Sequence, residues 1–507
     1  MTTARIGDFV MPQYDFVKRS LIVGCLLLLM HVVACPEGIF ANDRRTTLPN
    51  VIIFLADDLG AMDIGANNPN TFYETPNVDR LATEGINFTQ GYAACCVCSP
   101  TRFSMMTGKY PARTGATDWF SSNRSERFNP APLHNRMELD EFTIAKAFQE
   151  AGYKTAHIGK WHLGPTPEFW AENQGFDVNI GGFSQGSPPS WVSPYRNPRL
   201  EDGPEGEFLT ERLAQEAVDF IKKTKDSPFL IHYSFYQVHT PLWAPEALVQ
   251  KYRDKAQALG LPTANAELFA PEDQHQLTDN PRLVRVRQTH AVYAAMVEAM
   301  DTAVGRVVEA LREEGLLENT IICFMSDNGG LSTSEGSPTS NAQLRAGKGW
   351  QYEGGIRVPF IIRVPGIAGQ VSECPVITND IFPTMLELAG LPPRPAQHLD
   401  GVSLAPVFAG KETVGRERLY WHYPHYSNQG GFPGGSVREG DWKMIRHYEE
   451  GRVSLYNLKD DPSERNDLAE SEPLRANDLA AKHDLWLKSV GAKFLQERNG
   501  HQPWKPE

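Results

Sequence analysis

One pattern recurs along this chain: an apolar, β-branched run stops, and charged or imidazole groups follow at once. "NVIIFLADDLG", from residue 50, ends in Asp57-Asp58 and Gly60. "FTIAKAFQEAGYKTAHIGKWHLG" reads as a helix closed by Gly152, then a short strand, then Lys160 and His162. "PFLIHYSFYQVHTP" ends near His239, and "TIICFMSDNGG" ends in Asp327-Asn328, with Lys348 following in "RAGKGWQYEGG". Helical patterns stand between these runs. "TPNVDRLATEGINF" offers Thr75 as cap and Pro76 at the first helical position. "HAVYAAMVEAMDTAVGRVVEALREEG" keeps a 3.6-residue period throughout. The alternation predicts an α/β sheet with helices on both faces. In such sheets ligands bind at the carboxyl edge of the strands. Each instance alone also reads as a turn or a solvated loop; it is the recurrence that points to a site.

The chain has 507 residues, enough for one large domain and a smaller one. Hydrophobic content of 41% and charged content of 22% are those of a globular protein. A formal net charge of -13 argues against a nucleic-acid partner, so an anionic substrate needs attraction local to the site.

Residues 1–41 read as an export signal. Lys18-Arg19 precede the apolar stretch "SLIVGCLLLLMHVVAC". "VVAC" has the form of a lipobox that would lipidate Cys35, "IFA" at 39–41 that of an ordinary cleavage site, and an uncleaved anchor is a further reading. Met11 is an alternative start. No other segment is apolar enough to span a membrane. The expectation is an exported protein: periplasmic, secreted or lipid-anchored at the cell surface. Sequons at Asn87 and Asn123 matter only in a eukaryotic secretory route.

"CCVCSPTR", residues 95–102, concentrates three of the seven cysteines. No second Cys or His pair stands at zinc-ligand spacing, and so few cysteines do not make a disulfide framework. Cys95 and Cys96 read as buried apolar thiols. Cys98 reads as a reactive one. A helix capped at Cys98 places Pro100 in its first turn and Arg102 on the same face, with free N–H groups and the positive dipole end aimed there. That is an anion site with a nucleophile in it.

Two sets of groups therefore collect at the strand ends. Asp57, Asp58, Asp327 and Asn328 are hard oxygen donors suited to Ca²⁺ or Mg²⁺ rather than zinc. Arg102, Lys160, His162, His239 and Lys348 are cationic or proton-carrying groups suited to a tetrahedral oxyanion. Together they imply hydrolysis or transfer of a sulfuryl or phosphoryl group.

These residues resemble the formylglycine-dependent (type I) sulfatases of the alkaline phosphatase superfamily. "CSPTRFSMMTGKYPARTG" resembles the first sulfatase signature and "GYKTAHIGKWHLG" the second; "ADD", "HTP", "SDNGG" and "GKGWQYEGGIRVP" follow in family order, and "REGDWKMI" and "LYNLKDDPSERNDLA" resemble the family's C-terminal subdomain. The resemblance runs from about residue 48 to about 470 and leans loosely toward the arylsulfatase and N-acetylgalactosamine-sulfatase branch.

It implies a large mixed, mostly parallel sheet sandwiched by helices at 46–395 and a smaller α+β subdomain with an antiparallel sheet at 396–507. It implies that a formylglycine-generating or sulfatase-maturating enzyme oxidises Cys98 to formylglycine (3-oxoalanine). One hydroxyl of its hydrate attacks sulfur, and the other allows sulfate to leave. Asp57, Asp58, Asp327 and Asn328, with modified Cys98, would hold Ca²⁺, less readily Mg²⁺. Arg102 would hold the hydrate, Lys160 and Lys348 the sulfate, while His162 helps ionise the hydrate and His239 protonates the alcohol. A phosphodiesterase or phosphonate monoester hydrolase of the same superfamily, or a silent carbohydrate-binding relative, are the alternatives. A sulfated carbohydrate of galactose or N-acetylgalactosamine type is the expected substrate, met by loops 165–210 and 419–447. Trp170, Trp191, Tyr195, Arg196, Trp421, His422, Tyr423, His425 and Arg438 are the candidate contacts there.

Overall fold

The strands Asn50–Ala56 and Thr320–Ser326 are buried along their whole length, as strands covered on both faces must be. They pair in parallel from Asn50↔Thr320 to Ala56↔Ser326. That register brings Asp57-Asp58 and Asp327-Asn328 out of the sheet at one level. On the other side of Asn50–Ala56, Leu55 faces Ser234 of Phe229–Ser234, and Ser234 faces Gly159 of Lys154–Gly159. Lys160 therefore leaves the sheet at the same edge. This is a computed structural model, and it describes residues 48–272 and 282–506. The expected export signal, with Cys25 and Cys35, lies outside the described residues.

The main sheet has eight strands in the order Gln370–Ser372, Ile86–Phe88, Phe360–Arg363, Thr320–Ser326, Asn50–Ala56, Phe229–Ser234, Lys154–Gly159 and Val178–Ile180. Every neighbouring pair is parallel except the two made by Phe360–Arg363. Helices sandwich it. Leu209–Thr224, Glu246–Ala258 and Pro76–Glu84 pack on the long helix Ala291–Glu313; Ile144–Glu150 and Ile381–Leu388 pack on Cys98–Thr107.

The start of Pro76–Glu84 departs from the local reading. Thr75 occupies the cap position but its side chain makes no capping bond. Its hydroxyl instead donates to Asp79 and accepts from the Gly65 amide. The free helix amides of Asn77 and Val78 donate to Asp301, at 3.0 and 2.8 Å, from the neighbouring helix. The Asn87 sequon is closed by burial, since Asn87 lies within the strand Ile86–Phe88.

Four antiparallel strands, Arg418–Tyr423, Gly434–Glu439, Trp442–His447 and Val453–Asn457, make the second large sheet. Alternation gives it two apolar faces. Val437, Met444 and Leu455 pack with Ala476, Leu479 and Ala480 of helix Pro473–Ser489. Leu419, Trp421 and Tyr423 pack with Tyr92, Cys95, Cys96 and Val97 beside the nucleophile helix. Cys95 and Cys96 are thus core thiols, and all five described cysteines are free.

Candidate active site

Cys98 opens the helix Cys98–Thr107, with Val97 as the residue before it in extended conformation. The cap therefore falls one position earlier than the sequence suggested. Pro100 still lies in the first turn, where no intrahelical N–H is lost. Arg102, one turn on, is buried, with 1% exposure. Its Nε donates to Asp327 Oδ2 at 2.8 Å, its Nη2 lies 2.7 Å from the same oxygen, and its Nη1 donates to the Lys160 carbonyl at 3.0 Å and to the Ser234 hydroxyl. So desolvated, the guanidinium is held by the ion pair with Asp327 and by the two acceptors of Nη1.

Two lysines cross to the aspartates of the first strand end. Lys160 Nζ donates to Asp57 Oδ2 at 2.6 Å, and Lys348 Nζ to Asp58 Oδ2 at 2.8 Å. Asn328 Nδ2 donates to Asp58 Oδ1 at 2.8 Å, and the Asp58 amide donates to Asp327 Oδ1 at 3.2 Å. Burial opposes ionisation of Asp58, but Lys348, His239 and Lys160 outweigh it and hold the carboxyl below the usual range. Burial pushes Asp57 up, against the pull of Lys160. Burial also raises the Cys98 thiol, although Lys160 and Lys348 favour the thiolate. As a thiol, Cys98 is therefore not an activated nucleophile.

The imidazoles complete the floor. His162 Nδ1 lies 3.4 Å from Cys98 Sγ and 3.3 Å from Ser99 Oγ. Burial, then the charges of Lys160 and Arg102, lower His162 well below its ordinary value. His162 has a left-handed φ of 57°, which turns the chain into the site. Gly186 packs over it: a Cβ there would come within 2.7 Å of His162 Cε1. His239 Nδ1 lies 2.5 Å from the Thr240 carbonyl and its Nε2 3.9 Å from Asp58 Oδ2. Burial and Lys348 lower His239 to about 3.

The structure thus brings together Cys98, Arg102, Lys160, His162, His239, Lys348, Asp57, Asp58, Asp327 and Asn328 at one edge of the sheet. The grouping that could hold a metal among the described residues is Asp57, Asp58 and His239. It includes an imidazole assigned from sequence to proton transfer and leaves out Asp327, whose oxygens accept from Arg102 and from the Asp58 amide. Asp57 Oδ1 and Asn328 Oδ1 are buried without a hydrogen-bond partner. Hard oxygens left bare in a buried acidic site fit a calcium-type cation.

A cleft of about 340 Å³ leads to this floor, lined by Cys98, Trp119, His239, Glu335, Lys348 and Gln429 among others. Both loops named from sequence reach it, through Gly186-Ser187 and Asn428-Gln429, but by residues other than those expected. Trp170, Trp191, Tyr195, Trp421, His422, Tyr423, His425 and Arg438 are buried. Trp421 donates to the Ala93 carbonyl, Trp191 to the Pro241 carbonyl, and Tyr195 to Glu207. Their rings fill the junctions beneath the loops, which is where apolar area gains most from leaving water. Arg196 is exposed and is not among the lining residues. Ser234, which holds Arg102, was legible only as a lone hydroxyl in "FLIHYS".

A family model described as Sulfatase matches residues 49–391, and one described as N-sulphoglucosamine sulphohydrolase, C-terminal, matches residues 346–487. A protein named Sulfatase from Formosa agariphila is 31% identical over 87% of this chain and 88% of its own. The mouse (Mus musculus) N-acetylgalactosamine-6-sulfatase is 31% identical over 74% of this chain and 68% of its own. The crystal structure of Ps i-CgsB in complex with k-i-k-neocarrahexaose superposes with a TM-score of 0.72 at 28% identity, covering 91% of this chain and 95% of that one.

Proposed function

The chain belongs to the sulfatase family and is a sulfuric ester hydrolase; we propose that it desulfates carbohydrates, using a formylglycine made from Cys98 and a bound Ca²⁺. The observation that carries the reading is Cys98 at a helix N-terminus, within reach of His162, at the floor of a cleft that also exposes Lys348 and His239. The carbohydrate names borne by relatives support the substrate class, as does a half-buried Trp119 at the cleft wall. Galactose or N-acetylgalactosamine sulfates are the first substrates to try.

Cys98 converted to formylglycine by a maturating enzyme would supply a hydrated aldehyde, one hydroxyl to displace the alcohol from sulfur and a second whose loss of a proton would re-form the carbonyl and expel sulfate, which a serine hydroxyl cannot do. Asp57, Asp58, Asp327 and Asn328 would hold a calcium ion, which would supply positive charge for the sulfate oxygens. The chain's own side chains do the rest. Arg102, fixed by Asp327 and Ser234, keeps a permanent charge beside residue 98. Lys160 and Lys348 present ammonium groups to a sulfate. His162 Nδ1 is placed to hold a proton at residue 98. His239 faces the open cleft, where the alcohol departs. We take residues 46–395 as the catalytic domain and 396–507 as a subdomain that closes the cleft. Residues 1–41 we read as its export signal.

Mass spectrometry of the peptide containing Cys98, from protein made beside a maturating enzyme, is expected to show the thiol replaced by an aldehyde oxygen. Elemental analysis should find calcium, and Cys98→Ala should fold but not turn over. An unmodified thiol in fully active enzyme, or stoichiometric zinc without calcium or magnesium, contradicts the reading.

A further inference from the structure

Resting on the reading of this cleft as the sulfate-ester site, we propose that Glu335 selects a leaving group with no second anion beside the scissile sulfate: a neutral, singly sulfated sugar ring. Glu335 is the one carboxylate that lines the cleft, and Lys348 the one lysine or arginine, among the described residues. Lys348 is already committed to the floor through Asp58. Arg282 packs against Gly430, next to Gln429, but is not a lining residue. Among the described residues, the outer cleft thus offers a second sulfate or a carboxylate no cation, and opposes it with a fixed negative charge.

That charge is held in place. Glu335 has a left-handed φ of 51°, rare for a side chain of its size. Three donors from two other segments fix its carboxylate. Thr240 Oγ1 donates to Oε2 at 3.1 Å; Asn428 Nδ2 and Gln429 Nε2 donate to Oε1 at 2.9 and 2.8 Å. Thr240 adjoins His239, and Asn428 and Gln429 belong to the C-terminal sheet's loop. Glu335 therefore ties both walls of the cleft together, yet its side chain remains exposed. A carboxylate has about four acceptor positions, so at least one stays available for a sugar hydroxyl. The half-buried Trp119 ring, on the same cleft, suits the apolar face of such a ring. Like charges set against each other in a binding site disfavour the wrong ligand, and solvent screening at an exposed carboxylate moderates the effect.

The test compares kcat/KM for two matched pairs: a hexose monosulfate against the same hexose with a second sulfate, and 4-nitrophenyl sulfate against an aryl sulfate bearing a carboxylate. Wild type should prefer the singly charged member of each pair by about tenfold or more. Glu335→Gln should shrink that preference about tenfold and Glu335→Lys should reverse it; salt should weaken both the wild-type preference and its reversal, and leave the Glu335→Gln ratio unmoved. Each readout is a ratio within one preparation, so a partly inactive variant still reports. An unchanged ratio in Glu335→Gln and Glu335→Lys, or equal wild-type rates on both members, overturns the inference. Discrimination on the aryl pair with no turnover of either hexose sulfate supports the role of Glu335 while removing the sugar reading.

Discussion

His239 carries two assignments that chemistry can separate. A carbonyl only accepts, so the 2.5 Å contact to Thr240 places the proton on Nδ1 and leaves Nε2 bare toward Asp58. With the imidazole lowered to about 3 by burial and then by Lys348, the free site holds it neutral at pH 7. Nε2 then has no proton to give until a bound sulfate offsets Lys348. If His239 protonates the alcohol, kcat should fall as pH rises through a higher pKa in the substrate complex than in the free enzyme. His239→Ala should then lose about 10²–10⁴ on a sugar sulfate and much less on 4-nitrophenyl sulfate, whose phenolate leaves unaided. Measuring kcat/KM on both substrates decides it. Equal losses would make His239 a sulfate ligand or a structural histidine rather than the acid, and would leave open the grouping with Asp57 and Asp58 that the geometry also permits.

At the scale of elements, the helix Pro76–Glu84 depends on its neighbour. Asp301 accepts from the amides of Asn77 and Val78 and from the Asn77 side chain at 2.7 Å. Asp301→Ala should cost about 1–3 kcal/mol, because it leaves buried donors unpaired, whereas Thr75→Ala removes no cap. Urea unfolding of the two variants gives the comparison; a loss in Asp301→Ala no larger than that in Thr75→Ala would contradict the cap by Asp301. Burial pushes Asp301 up to about 6 from 3.8. Between those values the folded state binds more protons than the unfolded chain, so this carboxyl's contribution to stability falls as pH rises from about 4 to about 6. Asp301→Asn should flatten that part of the stability profile.

For the whole molecule, a buried ion cluster ties the antiparallel sheet to the short helix Glu353–Ile356 that follows the Lys348 loop. Lys443 Nζ, fully buried on the antiparallel sheet, lies 3.0 Å from Glu353 and 2.8 Å from Glu464. Glu353 stands just beyond the Lys348 loop, and its amide donates to Glu464 Oε2 at 2.6 Å. Removing one partner of a buried ion cluster leaves uncompensated charge. Lys443→Met is therefore expected to cost about 3–5 kcal/mol in denaturant unfolding, and Lys443→Met with Glu353→Gln less than that. A loss below about 1 kcal/mol, the range of a surface pair, would show that the cluster does not hold the antiparallel sheet to that helix.

The sequence by itself determined the sheet's centre and the floor of the site. Fully buried parallel strands are continuous apolar runs, and the groups that end them are their immediate neighbours in sequence, so Asp57, Lys160 and Asp327 could be read where they stand; His239 reads as a strand-end group, but that strand stops at Ser234, five residues before it. Cys98 and Arg102 were legible for the same reason, one helical turn apart. Only the tertiary structure decided what meets across the chain. Glu335 joins Thr240 and Gln429, Asp301 caps a helix begun at Pro76, and Ser234 holds Arg102. Tertiary structure also sent Trp421, Tyr423 and Trp191 into the core. An aromatic side chain in a loop has the same local pattern whether it faces a ligand or fills a junction, and the choice rests on which surfaces the fold brings together.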